Sequence, residues 1–174
     1  MLCVVLALAA GWTDWRTRRI PNWLTVPAFL LGIAVNAYVG RWQGAKGALL
    51  GAALGLALLL PFVLLRALGA GDWKLAGALG AWLGPSRLVA VLILAIFAAG
   101  ILAVGLVIWK KRVGRTLRNI GHLLASLLTL HLPGPELSLD NPDSTKVPFG
   151  VAMAVAVIFY VGMAAWPMVH WVAR

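Results

Sequence analysis

The sequence predicts an all-α, polytopic integral membrane protein with about six transmembrane helices and one interfacial amphipathic helix, built as a single membrane-embedded domain over residues 1–174. Three observations predict it. The chain is 62% hydrophobic with a mean hydropathy of +0.93, far above a soluble domain. It has only five acidic side chains. Its basic residues gather at the ends of apolar runs, as flanks that set topology and meet anionic lipid do. A net charge of +10 would suggest nucleic acid in a soluble chain; placed like this it calls for a lipid bilayer, and no nucleic-acid partner is expected. The lone cysteine, Cys3, excludes an internal disulfide and a multi-cysteine zinc site. His122, His131 and His170 have no ligand spacing, so neither a metal nor another cofactor is expected.

The first span, 1–13, is apolar but lacks the basic front region of a secretory signal peptide. At 1.5 Å per residue it reaches only about 20 Å of the roughly 30 Å of hydrocarbon, so either the helix continues past Asp14 or the chain starts further upstream. Residues 15–23 form a short basic loop with Arg16, Arg18 and Arg19, and Pro21 disfavours helix in the residue before it. The second span is 24–39, ending at Gly40-Arg41-Trp42-Gln43, where Trp42 suits the membrane interface. The third, 47–65, carries Gly47, Gly51 and Gly55 as a stripe for close helix approach, and Pro61 kinks its end. The fourth, 72–83, has Ala76, Gly80 and Gly84 along one side. The fifth is 87–109. A basic cluster follows, and near 115–131 apolar residues fall on one helical face with Arg115, Arg118 and His122 opposite, which fits a helix lying in the membrane surface. Residues 132–146, with three prolines and Glu136, Asp140 and Asp143, form an exposed loop. The sixth span is 147–169.

Charge counting chooses an orientation. With the amino terminus outside, the inner segments 14–23, 66–74 and 110–146 hold eleven of the fifteen lysines and arginines. Asp14 and Asp72 then lie at the same inner depth. A carboxylate beside a span is costly and marks function by default. Two of them at one membrane face make the pair an aspartyl hydrolase requires, in which close carboxyls share one proton. The ionised member takes a proton from water and the neutral one donates to the peptide carbonyl. Asp72 sits near a helix amino terminus, which favours an anion, and Asp14 near a carboxyl end, which does not. On that ground Asp72 is expected to be the base and Asp14 the acid. Gly69 and Gly71 allow a tight turn and close approach of an extended substrate. Lys74 either steadies the anion, contacts substrate or snorkels to the membrane face.

Together, Asp14 followed by Arg18-Arg19-Ile20-Pro21-Asn22, then Gly69-Ala70-Gly71-Asp72-Trp73-Lys74, then Val147-Pro148-Phe149-Gly150 before the last helix, resemble the type IV prepilin peptidases, membrane aspartyl proteases of the GxGD type. The resemblance implies a bacterial inner-membrane enzyme that removes the short basic leader of prepilins, pseudopilins or other prepilin-like proteins at the cytoplasmic face, cutting after a glycine. It implies Asp14 and Asp72 as the catalytic pair; Gly69, Gly71, Lys74, Pro21 and Asn22 are expected to bind substrate or to form the active-site turn. Larger members carry a cysteine-rich zinc module and a domain associated with methylation. This chain is similar to the compact, peptidase-only branch serving Flp-type (tight adherence) pili, without methyltransferase activity. The related presenilin-type enzymes also use a Pro-Ala-Leu motif, to which Pro27-Ala28-Phe29 is the nearest string here. Two other readings compete: a non-catalytic membrane component of a pilus or secretion apparatus, and an ion or proton carrier, which would distribute charge through the span centres. Oligomeric state is not readable from the sequence.

Overall fold

The computed structural model describes residues 2–65, 68–109 and 147–172, with 165–172 as backbone only. The amphipathic helix expected near 115–131, the basic cluster before it and the loop 132–146 lie outside the described residues. Those described form five helices: α1 (Leu2–Thr17), α2 (Asn22–Leu64), α3 (Ala70–Leu83), α4 (Pro85–Trp109) and α5 (Phe149–Val172).

The first helix does continue past Asp14. Its sixteen residues reach about 24 Å. The last turn keeps its polar side chains satisfied, Thr13 Oγ1 donating to the Ala10 carbonyl (2.9 Å) and Thr17 Oγ1 to the Thr13 carbonyl (2.8 Å). Arg18 then takes a positive φ of 55° and ends the helix. Trp15 to Thr17 thus belong to α1 rather than to the basic loop expected over 15–23.

The second and third expected spans are two arms of α2 meeting at a single residue. Arg41 has φ 49° and ψ −137°, a region open chiefly to glycine. Between the expected spans 24–39 and 47–65, helix runs on both sides of Arg41 and one residue makes the turn. The return is tight: a Cβ on Gly44 would run into the Asn36 carbonyl oxygen.

Helix α3 is clamped between these arms. At one end the Trp73 indole donates to the Leu56 carbonyl (2.7 Å), and at the other the Trp82 indole donates to the Ala28 carbonyl (2.9 Å). Asn36 Nδ2 adds a bond to the Ala81 carbonyl (3.0 Å). Between them the glycine stripes meet. A Cβ on Gly51 would collide with the Gly80 carbonyl, and one on Gly55 would lie 2.7 Å from the Ala76 carbonyl. Small residues let helix backbones approach in lipid, where packing and not water exclusion holds helices together. Gly47, predicted on the same stripe, has open space around it. Gly84, at φ 75°, ends α3.

Helix α5 packs on α1, where a Cβ on Gly11 would lie 2.9 Å from the Ala154 Cβ. One core draws on all five helices through Leu6, Leu59, Leu75, Leu88 and Met153. Outward faces are apolar: Ile93, Ile96, Phe97 and Ile101 of α4 are exposed while Leu88, Val91, Leu92 and Ala95 are buried. The exterior is as oily as the interior, which suits lipid as the surroundings. Helices α2 and α4 are long and apolar enough to cross a membrane, and residues 149–164 of α5 form a shorter apolar helix.

Candidate active site

The last turn of α1 and the first turn of α3 open on one cavity of about 350 Å³. Asp14 and Asp72 line it together with Arg18, Arg19, Ile20, Asn22, Gly69, Ala70, Gly71 and Lys74. Helix direction explains the meeting, since α1 ends where α3 begins.

Asp14 is buried, 7% exposed, and its Oδ2 accepts the Gly150 N–H at 2.8 Å. The Val151 N–H is a second backbone donor to it. Ala152 N bonds the Pro148 carbonyl, the first turn of α5, so Gly150 and Val151 carry N–H groups without a partner inside their own helix. Asp14 therefore caps α5 from α1, across 136 residues of sequence. The positive end of the α5 dipole and the charge of nearby Arg18 both face it.

Asp72 is the third residue of α3, after Gly69 at the cap position. Its carboxylate reaches back to the Gly69 N–H, the acidic half of a capping box. Its Oδ1 is buried and has no hydrogen-bond partner among the described residues. The charge of Asp14 is felt at Asp72. One carboxyl is thus fastened by helix donors, and its neighbour keeps an oxygen uncommitted.

The other residues singled out from the sequence divide in two. Asn22 and Lys74 line the cavity and bond each other, Lys74 Nζ donating to Asn22 Oδ1 at 2.9 Å. Gly69 and Gly71 also line it, but the space above each is taken by the chain itself. A Cβ on Gly69 would sit 3.1 Å from Asp72 Oδ2, and one on Gly71 3.1 to 3.3 Å from the Cβ, carbonyl oxygen and nitrogen of Ile20. At φ −71° Gly69 is not in a left-handed turn; its value is the room it leaves the carboxylate. Pro21 is not in the cavity wall. It stands at φ −74°, ψ 147° before α2, its carbonyl accepting the Leu24 N–H at 3.1 Å, and so sets the entry of that helix.

Sequence reasoning did not single out Gly150. The string Val147-Pro148-Phe149-Gly150 was visible, but nothing local joins it to Asp14. Ile20, the buried wall against Gly71 and Gly150, was visible only as part of Arg-Arg-Ile-Pro-Asn.

Fold and site define a class: a helical membrane protein with two carboxyls brought to one cavity from separate helices. Residues 1–104 match the type IV leader peptidase family, and the chain belongs to that family. Among its relatives, the prepilin leader peptidase/N-methyltransferase of Burkholderia pseudomallei strain 1026b is 40% identical over 119 residues, 64% of this chain and 37% of that protein. The protein of the same name from Escherichia coli K12 is 29% identical over 171 residues, 94% of this chain and 61% of its own length. That of Xanthomonas campestris pv. campestris is 28% identical over 169 residues, 92% of this chain and 48% of its own length. The chain spans less than two thirds of each. No solved structure matches it.

Proposed function

We propose that this protein is an aspartyl endopeptidase of the bacterial inner membrane that removes the basic leader of type IV prepilins or prepilin-like proteins after a glycine. The observation that carries the reading is the shared cavity of Asp14 and Asp72; family membership supplies the substrate class.

The environments of the two carboxyls support the reverse of the roles that α1 and α3 alone suggest. Asp14 lies near the carboxyl end of its own helix, but the amino terminus of α5 is folded against it. Burial works against the charge on both carboxyls, but Asp14 has two backbone N–H donors and nearby Arg18 against a single N–H donor at Asp72. Donors to the charged form favour that form, so Asp14 is the ionised member and the base. Asp72, with Oδ1 buried and uncommitted, holds the shared proton and is the acid. Asp14 takes a proton from water as its oxygen adds to the scissile carbonyl carbon. Asp72 gives its proton to the carbonyl oxygen, forming a tetrahedral diol. Collapse re-forms the carbonyl, breaks the C–N bond and returns a proton to the departing amine.

Aromatic placement supports a membrane slab with the cavity at one face. Trp15, Trp23 and Trp109, all exposed, fall at the cavity end of their helices. Exposed Tyr38 and Trp42 fall at the opposite end, beside the Arg41 turn. Such belts mark the two interfaces. Six spans with the cavity facing the cytoplasm and the amino terminus outside remain the reading the basic residues favour. Purified protein in lipid, given a synthetic prepilin peptide, is expected to release a leader ending in glycine, identified by mass. Cleavage elsewhere, or none across a panel of prepilins, would refute the assignment.

A further inference from the structure

Lys74 and Asn22 form a unit that the carboxyl pair does not use. Asn22 opens α2 and Lys74 lies in the second turn of α3, so their 2.9 Å bond ties two helix starts across the cavity wall. An ammonium has three donors, and the bond to Asn22 occupies one. The acids among the described residues are not its partners: Asp14 takes backbone N–H groups, and Asp72 Oδ1 is left unbonded among those residues even though it shares the cavity with Lys74. An ammonium on either carboxylate would hold that group as an anion and work against a shared proton. Asn22 holds the cation in the cavity wall, where it can meet what enters.

We infer that Lys74 binds a backbone carbonyl oxygen of the substrate beside the scissile peptide, and that Asn22 is a positioning residue that aims it. The ligand chemistry follows from the donor. The cavity already holds acids for the reacting bond, and an extended peptide offers carbonyl oxygens on either side of it. A single charged donor on one of them fixes the register of the chain over the two aspartates. This rests on the peptidase reading but goes beyond it, since the carboxyl pair could act without a lysine.

The test is steady-state cleavage of a synthetic prepilin peptide by the purified protein in lipid, with Lys74→Met, Lys74→Arg, Asn22→Ala and the double variant Asn22→Ala/Lys74→Met. Loss of one charge-assisted hydrogen bond in Lys74→Met lowers kcat/KM by about tenfold or more, chiefly through KM. Asn22→Ala moves KM the same way by less. The double variant is no worse than Lys74→Met alone, because Asn22 acts only through the lysine. Lys74→Arg recovers part of the loss. A purely structural pair would instead lower the active fraction, and so kcat, with KM unmoved. That result, or additive losses in the double variant, overturns the inference. Peptide binding to Asp14→Asn protein with and without Lys74→Met needs no turnover. Weaker binding with Lys74→Met supports the inference even where the peptidase reading fails, and equal binding, or none by the Asp14→Asn protein itself, overturns it.

Discussion

Replacing Gly150 by alanine tests how the active site is held, at a residue that itself has no reactive group. The added Cβ would lie 2.9 Å from the Asp14 Cβ, 3.0 Å from Asp14 Oδ2 and 3.1 Å from the Ile20 Cδ1, where ordinary contact begins at 3.4 Å. Relief requires a shift of roughly half an ångström, and the crowded Cβ is fixed to a buried helix, so the carboxylate or the start of α5 must move. Either movement lengthens the 2.8 Å bond from the Gly150 N–H. A misplacement of about 1 Å at a reacting centre costs on the order of a hundredfold. Half that, with a weakened bond to a charged group worth about 1.5–3 kcal/mol, predicts a fall of roughly tenfold to a hundredfold in kcat. The assay is cleavage of a prepilin peptide at matched protein levels, with Gly162→Ala as control because no atom of the described residues lies within 4 Å of a Cβ there. Gly150→Ala protein that folds normally and keeps kcat within about twofold of wild type would refute the reasoning.

Three further outcomes follow from the geometry. Arg41→Gly relieves the φ 49°, ψ −137° turn and is expected to stabilise the protein by about 1 kcal/mol, read as a higher unfolding midpoint in detergent; a lower midpoint would mean that the arginine side chain matters more than its backbone. Trp73→Phe deletes the indole donor to the Leu56 carbonyl, costs about 1 kcal/mol and loosens the start of α3, so turnover should fall along with the midpoint, whereas an unchanged midpoint would deny the clamp. The acid and base roles are read from residual activity: a base must be deprotonated to work, so Asp14→Asn should flatten the acid limb of the pH–rate profile, and Asp72→Asn the alkaline limb. The two groups titrate jointly, so it is the opposite sense of the two changes that decides, and matching profiles would sink the assignment.

What the sequence made legible was what repeats or sits locally. Small residues at helical spacing marked the face on which α2 and α3 meet, with Gly51, Gly55, Ala76 and Gly80 in contact. Apolar runs marked the helices, and their alternation put Asp14 and Asp72 at one end of the bundle, where they share a cavity. The place of the turn was legible, since the second expected span ends at Gly40-Arg41-Trp42-Gln43, but not that Arg41 alone makes it, because the residue with positive φ is not a glycine. Nor was the capping of α5 by Asp14, a bond between residues 136 apart. Reading Asp14 against its own helix alone therefore assigned it the acid's role, the opposite of the one proposed above. Gly69 and Gly71 were recognisable as special, but space for Asp72 and Ile20 is a tertiary property that a Gly-x-Gly string does not carry.

The central claim is that Asp14 and Asp72 together perform hydrolysis. Its most direct test is co-expression of a Flp-type prepilin with wild-type protein, Asp14→Asn or Asp72→Asn at equal membrane levels, followed by the length of the pilin. The account predicts a shortened product with wild type and full-length precursor with each variant, since an amide at either position cannot share the proton. Cleavage that persists in both variants would contradict it.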